Sequence, residues 1–124
     1  MDGKIPSEIE KSFRLFIERF INIDDELLNK VIGCFNYMKV PRKALLQEAG
    51  ITAAKLFFLH EGFVRFFHTK EDGTEVTSDF YFAPGFITSF TSFIEQKTAV
   101  VNIQAMVKME LLFINYKDLQ QDRK

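Results

Sequence analysis

Between Leu56 and Ile114 the chain reads as one short strand after another, and its clearest pair flanks a tight reversal. Phe63-Val-Arg-Phe-Phe-His-Thr69 and Glu75-Val-Thr-Ser-Asp-Phe-Tyr-Phe82 stand on either side of Lys70-Glu71-Asp72-Gly73-Thr74. Asp-Gly between alternating apolar runs marks a β-hairpin, because glycine accepts the positive φ that such a turn demands. Pro84-Gly85 then stops the second strand, since proline has no N–H for the ladder and glycine permits a sharp bend. This β core, bracketed by helical patterns at both ends of the chain, narrows what the sequence can fold into.

The helical flanks are read from spacing. Ser7 followed by Glu10 has the form of a capping box, and Ile9, Phe13, Phe16, Ile17 and Phe20 recur as one apolar stripe. A second helix starts at Asp24 or Asp25, where acidic groups suit the positive end of the dipole. It turns Leu27, Leu28, Val31, Ile32 and Phe35 inward and fades near Asn36. From Lys39 the period changes, and Val40 to Gly50 reads as a strand with Pro41 at its start and Gly50 closing it. Leu56–Leu59 is the next strand, with Gly62 allowing a bend before Phe63. Phe86 to Ile94 loses strict alternation and reads as a short helix or turn. Thr98–Met106 resumes as a strand with Val101, Ile103 and Ala105 on one side, and Met109–Ile114 is the last. Asn115, with Asp118 three residues on, resembles the cap of a final helix running to Lys124. The expected organisation is a single domain over 1–124: a helical N-terminus at 1–37, a β-roll at 38–115 and the start of a helix at 116–124.

Composition removes several function classes. A 124-residue chain that is 47% hydrophobic is long enough to build one core and is not disordered. Fifteen phenylalanines and no tryptophan predict a core rich in phenyl rings. Sixteen basic against seventeen acidic side chains leave a net charge of −1, which argues against this piece binding nucleic acid by itself. The one cysteine, Cys34, cannot form an internal disulfide, so a reducing compartment is the simplest home. Asp2, Lys4, Pro6, Glu8 and Glu10 do not resemble a signal peptide, and no run approaches the roughly 20 apolar residues of a membrane span. The expected location is the cytoplasm, with no membrane partner.

Several segments, taken in order, carry a resemblance. They are Leu45-Leu46-Gln47-Glu48-Ala49-Gly50, Phe58-Leu59-His60-Glu61-Gly62-Phe63-Val64-Arg65, Asp72-Gly73, and Phe82-Ala83-Pro84-Gly85-Phe86-Ile87. Ile103-Gln104-Ala105-Met106 and Glu110-Leu111-Leu112-Phe113-Ile114 complete the set. Together they resemble the cyclic-nucleotide-binding-like β-roll of CRP/FNR bacterial transcription regulators, across roughly residues 25–124. The resemblance implies a mainly β fold with flanking helices, a double-stranded β-helix or jelly roll, acting as a sensor domain. It implies a homodimer formed through the C-terminal helix, and DNA contact only through a winged helix-turn-helix domain absent from this chain. Gln120 to Lys124 lies partway along that helix, so either a longer protein continues past Lys124 or the roll stands alone.

The resemblance also places a ligand cassette on Phe82, Phe86, Ile87, Thr88, Ser89, Phe90, Lys97, Thr98, Ala99 and Val100. Cyclic-AMP-binding members carry there a glutamate for the ribose hydroxyl and an arginine for the phosphate. An ungapped overlay puts Ser89 at the glutamate position, Ala99 at the arginine position and Val100 at the adjacent serine position. A buried phosphate needs charge-assisted donors, and alanine cannot replace the planar, bidentate pair that arginine supplies. The expectation is a domain that does not bind cyclic AMP in the usual way. Amides at the start of the Thr88–Phe93 segment, or Lys97, are the remaining candidates to meet an anion. No cofactor is implied beyond an unidentified small-molecule effector. Phe82, Phe86, Phe90 and Phe93 admit two readings: an apolar pocket for an uncharged ligand, or rings filling the roll where a nucleotide would sit.

Nothing in the sequence marks an enzyme or a metal centre. His60 and His68 are eight apart with Gly62 between them and no third histidine, unlike the ligand sets of cupin metalloenzymes, which share a jelly-roll shape. Cys34 reads as an inert thiol, Lys70-Glu71-Asp72 as a solvated hairpin tip, and Arg65 as a surface or interface residue. There is no Gly-x-Ser-x-Gly elbow and no phosphate-cradling glycine loop. Three functions remain: a ligand-sensing domain of a CRP/FNR-type regulator, a ligand-free interaction module of the same fold, and, least supported, a cupin-like metalloenzyme.

Overall fold

The computed structural model describes residues 4–121, and a proline sets its first element. Helix α1 (Ser7–Phe20) is capped by Pro6, whose fixed φ of −57° suits a helix start. The Pro6 carbonyl accepts from the amides of Ile9 and Glu10, both at 3.0 Å. The capping box expected at Ser7 and Glu10 is not formed: Ser7 already lies inside the helix, and Glu10 pairs with Arg14 one turn on at 3.1 Å. Ile9 and Phe13 are buried, whereas Phe20 at the end of the stripe is exposed. Helix α2 (Asp25–Gly33) begins as its sequence suggests, with the Asp24 carboxylate accepting from the Leu27 amide at 2.8 Å. It buries Leu28 and Ile32 but leaves Leu27 exposed, and it ends at Gly33 because pairing into the sheet starts at Asn36.

Eight strands follow: β1 (Asn36–Val40), β2 (Leu45–Gln47), β3 (Lys55–Leu59), β4 (Phe63–Thr69), β5 (Glu75–Phe82), β6 (Gly85–Ile87), β7 (Asn102–Ala105) and β8 (Met109–Asn115). Helix α3 (Phe90–Glu95) separates β6 from β7, and α4 (Tyr116–Gln121) follows β8. The strands form two antiparallel sheets in the orders β1-β8-β3-β6 and β2-β7-β4-β5, a jelly roll. The single strand expected from Val40 to Gly50 is two, because a turn through Pro41–Ala44 passes the chain from one sheet to the other. Asp118 does receive a 3.4 Å hydrogen bond from the Asn115 side chain, although Asn115 itself closes β8. Asp122 to Lys124, into which the last helix was expected to run, lie outside the described residues.

The β4–β5 hairpin follows its sequence signal. The Lys70 amide reaches the Thr74 carbonyl at 2.8 Å, the Asp72 carboxylate accepts from the Thr74 amide at 2.9 Å, and Gly73 supplies the positive φ of 92°. Arg65 ties three strands together on the outer face of its sheet. It donates to Gln104 at 2.8 Å, Thr77 at 3.0 Å and Glu75 at 2.6 Å, with its guanidinium over the Phe67 ring.

Two cores divide the apolar residues, and the phenyl rings are not where a ring-filled roll would put them. Between the sheets lie Val40, Phe57, Leu59, Val64, Ile87, Ile103, Ala105, Met109 and Leu111, an interior that is mostly aliphatic. Alternation along β3 sends Phe58 to the opposite face, where it meets Phe13, Leu28, Ile32 and Leu112 in a second core between the helices and the first sheet. Phe13 stands edge-on to Phe58 at 5.0 Å and to Phe86 at 5.9 Å. Five of the fifteen phenylalanines pack in this helix–sheet layer: Phe13, Phe16, Phe35, Phe58 and Phe86. Among the described residues no helix is long and apolar enough to cross a membrane.

Candidate functional site

The segment from β6 to β7 is fastened to the stretch Gly50–Lys55 chiefly by its backbone and by three polar side chains. Thr88, buried, donates its hydroxyl to the Lys55 carbonyl at 2.7 Å. Ser89 precedes α3 and its carbonyl accepts from the Phe93 amide at 2.8 Å, while its own side chain makes no capping bond. Ser92, also buried, accepts from the Ala53 amide at 2.8 Å and donates to the Lys97 carbonyl. Gln96 ends α3 in the left-handed region at φ 55°, a position glycine would fill without strain. Its amide group donates to the carbonyls of Phe93 at 2.8 Å and Ala53 at 3.1 Å, which offsets that conformation. Beyond it, the Ala99 amide donates to Ile51 at 3.1 Å and the Gly50 amide donates to Ala99 at 2.8 Å, next to a bridge between Thr52 and Thr98.

The ten cassette positions do not converge on one pocket. Ile87, Thr88, Ser89 and Ala99 are buried, Ala99 at 3% exposure. Phe86 belongs to the helix–sheet layer, packing on Phe58 at 5.3 Å and Phe16 at 5.7 Å. Phe82 and Val100 face solvent at 67% and 84% exposure, and Phe90, Lys97 and Thr98 are exposed as well. The Lys97 ammonium pairs with Glu95 at 3.3 Å on the surface. Phe93 is buried against Tyr116 at 5.4 Å rather than inside the roll. Ser92 and Gln96, which the sequence reading does not single out, fix the shape of the segment; glutamine three residues after Phe93 at a helix end was the signal available.

The remaining candidates stand apart from one another. His60 is half-buried with an Nδ1 that has no hydrogen-bond partner, and His68 is exposed. Among the described residues no group of three or more His, Cys, Asp or Glu side chains gathers to hold a metal ion. Cys34 closes α2 and is half-buried.

Two four-stranded antiparallel sheets, a short helix inserted between β6 and β7, and helices at both ends define the class: a β-roll with an inserted cassette. The protein-family model for the cyclic nucleotide-binding domain matches residues 37–121, and the chain belongs to that family. Solved structures share the fold. The N-terminal domain of a transcriptional regulator from Streptomyces coelicolor A3(2) is 22% identical over 80% of this chain and 68% of its own, with a TM-score of 0.69. The catabolite activator protein of Thermus thermophilus is 20% identical with a TM-score of 0.70; the match covers 82% of this chain but 47% of that one, about half its length. The sensor domain of the regulator DNR from Pseudomonas aeruginosa is 16% identical over 94% of this chain and 81% of its own, with a TM-score of 0.76. No curated protein matches the sequence.

Proposed function

We propose that this chain is the non-enzymatic, cytoplasmic ligand-sensing domain of a CRP/FNR-type transcription regulator, and that it does not take cyclic AMP in the usual way. The observation that carries the second half is at position 99. Ala99, which the sequence overlay sets at the family's phosphate-binding arginine, is buried, and its backbone is held by bonds to Ile51 and Gly50. Lys97, the nearest cation in sequence, pairs with Glu95 at the surface. A phosphate entering this segment would lose its water without a charged partner, which is strongly unfavourable. The family membership and the shared fold with regulator domains support the first half. In this reading 1–124 is one sensor unit, α4 opens a dimerisation helix, and DNA is contacted only through a helix-turn-helix domain outside this chain. Isothermal titration calorimetry with cyclic AMP and cyclic GMP tests it; the expected result is no heat of binding, and a micromolar Kd for either would overturn it.

One observation favours a second reading, a ligand-free interaction module. Phe63 and Phe82 stack at 4.9 Å on the outer face of the β4–β5 hairpin, and Phe80 beside them is also exposed. Such a patch is the usual mark of a protein contact. This reading expects the chain to associate with itself or a partner through that face, so sedimentation of wild type against a Phe80→Ser, Phe82→Ser variant separates the two.

A further inference from the structure

Outside the roll interior, on the opposite face of the first sheet and touching the cassette positions at Phe86, the helix–sheet layer is not filled. A cleft of about 380 Å³ opens between α1, α2, α4 and the outer face of the first sheet. Its walls are Phe13 and Ile17 from α1, Val31 from α2, Leu56, Phe86 and Ile114 from the sheet, and Leu119 from α4, with Cys34 and Phe35 at one end. Among the described residues no charged side chain lines it. The sheet residues are those that alternation turns outward, so the cleft is separated from the roll interior by the thickness of the sheet.

We propose that this cleft is the effector site and that it takes a small, uncharged, apolar molecule; the proposal rests on reading the chain as a sensor domain and names the ligand that reading leaves open. Three observations carry it. The volume lies within the range of small-molecule sites and is more than twice the roughly 150 Å³ at which an apolar cavity takes up benzene, so two or three rings fit. The lining offers no partner to a charge or a phosphate, which excludes nucleotides and carboxylates by the same desolvation argument that applies to Ala99. The walls also belong to different elements: α1, α2, α4 and the first sheet. Phe13 and Phe86 are fixed in the aromatic layer, whereas Leu119 is 38% exposed on a six-residue helix held chiefly against β8 and Phe93. An occupant would cover Leu119 and Val31 together, drawing α4 toward α2. Because only binding that differs between two positions of α4 can shift them, contact with Leu119 is what makes this a sensing site rather than a packing defect.

The test uses the 124-residue chain and N-phenyl-1-naphthylamine, a neutral probe whose fluorescence rises in apolar surroundings. The expected result is saturable one-to-one binding with methyl NMR shifts at Ile17, Val31, Ile114 and Leu119 and slowed amide exchange in α4. Val31→Trp, which fills the cleft from a half-buried wall, should weaken the probe at least tenfold, and Phe80→Ser with Phe82→Ser should leave it unchanged. Shifts confined to Phe63, Phe80 and Phe82, or full binding by Val31→Trp, would overturn the proposal, and the wild-type shift map decides even where that variant fails to fold. Probe binding that disappears as protein concentration rises would also overturn it, by showing that a second copy covers the cleft. Cyclic AMP titrated into the same sample keeps the outcomes apart: its binding would overturn the reading of the cassette, whereas absence of probe shifts would overturn only the cleft.

Discussion

Phe13→Ala measures whether the helix–sheet core and the roll interior unfold as one unit. Phe13 is fully buried, with ring centroids at 4.9 Å from Phe35, 5.0 Å from Phe58 and 5.9 Å from Phe86. Truncating a buried phenylalanine to alanine costs about 3–5 kcal/mol, the spread reflecting how well the site collapses. Here Phe13 also lines the open cleft, so α1 can settle and solvent can enter, which places the cost near 3 kcal/mol, the low end of that range. With a urea slope of about 1.5 kcal/mol/M, typical of a domain this size, the unfolding midpoint should fall by about 2 M. Circular dichroism and tyrosine fluorescence should trace one coincident transition, because Phe58 and Leu112 lie on strands whose neighbouring residues form the roll interior. A double cycle of Phe13→Leu and Phe58→Leu should show a coupling of about 0.5–1.5 kcal/mol from the edge-on ring pair. Phe90→Ala is the control: at 49% exposure it should cost less than about 1 kcal/mol. A loss at Phe13 below about 1 kcal/mol, or two separate transitions, would refute the reasoning, since the helices would then be appended to the roll rather than part of its core.

Gly62→Ala should cost about 1–3 kcal/mol in urea unfolding, because its φ is +87° and an added Cβ would lie 2.9 Å from Val107 Cγ2 and 3.0 Å from Met109 Cγ. Gly50→Ala, at φ +92° with nothing within 4 Å, should cost less, and equal costs would show that strain alone matters. Arg65→Lys should lose about 1–2 kcal/mol, since a point ammonium cannot serve Gln104, Thr77 and Glu75 while lying on Phe67; an unchanged midpoint would refute that role. The Tyr37 hydroxyl donates to Glu110 at 2.5 Å, and that bond to a carboxylate pushes its pKa up to about 12. A folded pKa above the unfolded value near 10 means stability fully present below pH 10 and lost as pH rises toward 12, so Tyr37→Phe should flatten the fall of the unfolding midpoint across that window.

Much of this architecture could be read from local chemistry, and what could not depended on partners distant in sequence. Asp72-Gly73 fixed a hairpin because both requirements of that turn, a positive φ and a carboxylate for the Thr74 amide, are met within five residues. Asp24 was legible as a cap for the same reason. Ser7 was not, because Pro6 begins the helix one residue earlier and a serine–glutamate spacing carries no information about that competition. Val40–Gly50 looked continuous because only the tertiary structure requires the chain to change sheets at Lys43, whose φ of 77° is rare for a lysine and gives no sequence signal. The phenylalanine count predicted an aromatic core but not its place: Phe57 and Phe58 are adjacent and equally apolar, and only the docking of α1 on one face decides which of them meets other rings. For the cassette, the resemblance supplied positions, yet exposure at Phe90 and Val100 depends on how the segment is tied to Gly50–Lys55, and exposure at Phe82 on its place on the outer face of β5, neither of which a residue pattern announces.

If the proposed reading of Ala99 holds, those ties explain how a roll of this family can keep its cassette without the clamp. The segment is held by the amide and carbonyl of Ala99, by Ser92 and Gln96 on Ala53, and by Thr88 on Lys55. None of these bonds uses the side chain at position 89 or 99. An arginine at 99 would therefore add nothing to the fold and, without an anion, would leave a guanidinium largely stripped of water, a cost of several kcal/mol. Alanine is the more stable choice wherever no phosphate arrives to neutralise that charge, and it leaves the backbone path intact. In that reading the fold and the anion site are separable, and a chain without the second keeps its strands, its flanking helices and the contact of α4 with β8 and Phe93, through which an occupant of the proposed helix–sheet site could act.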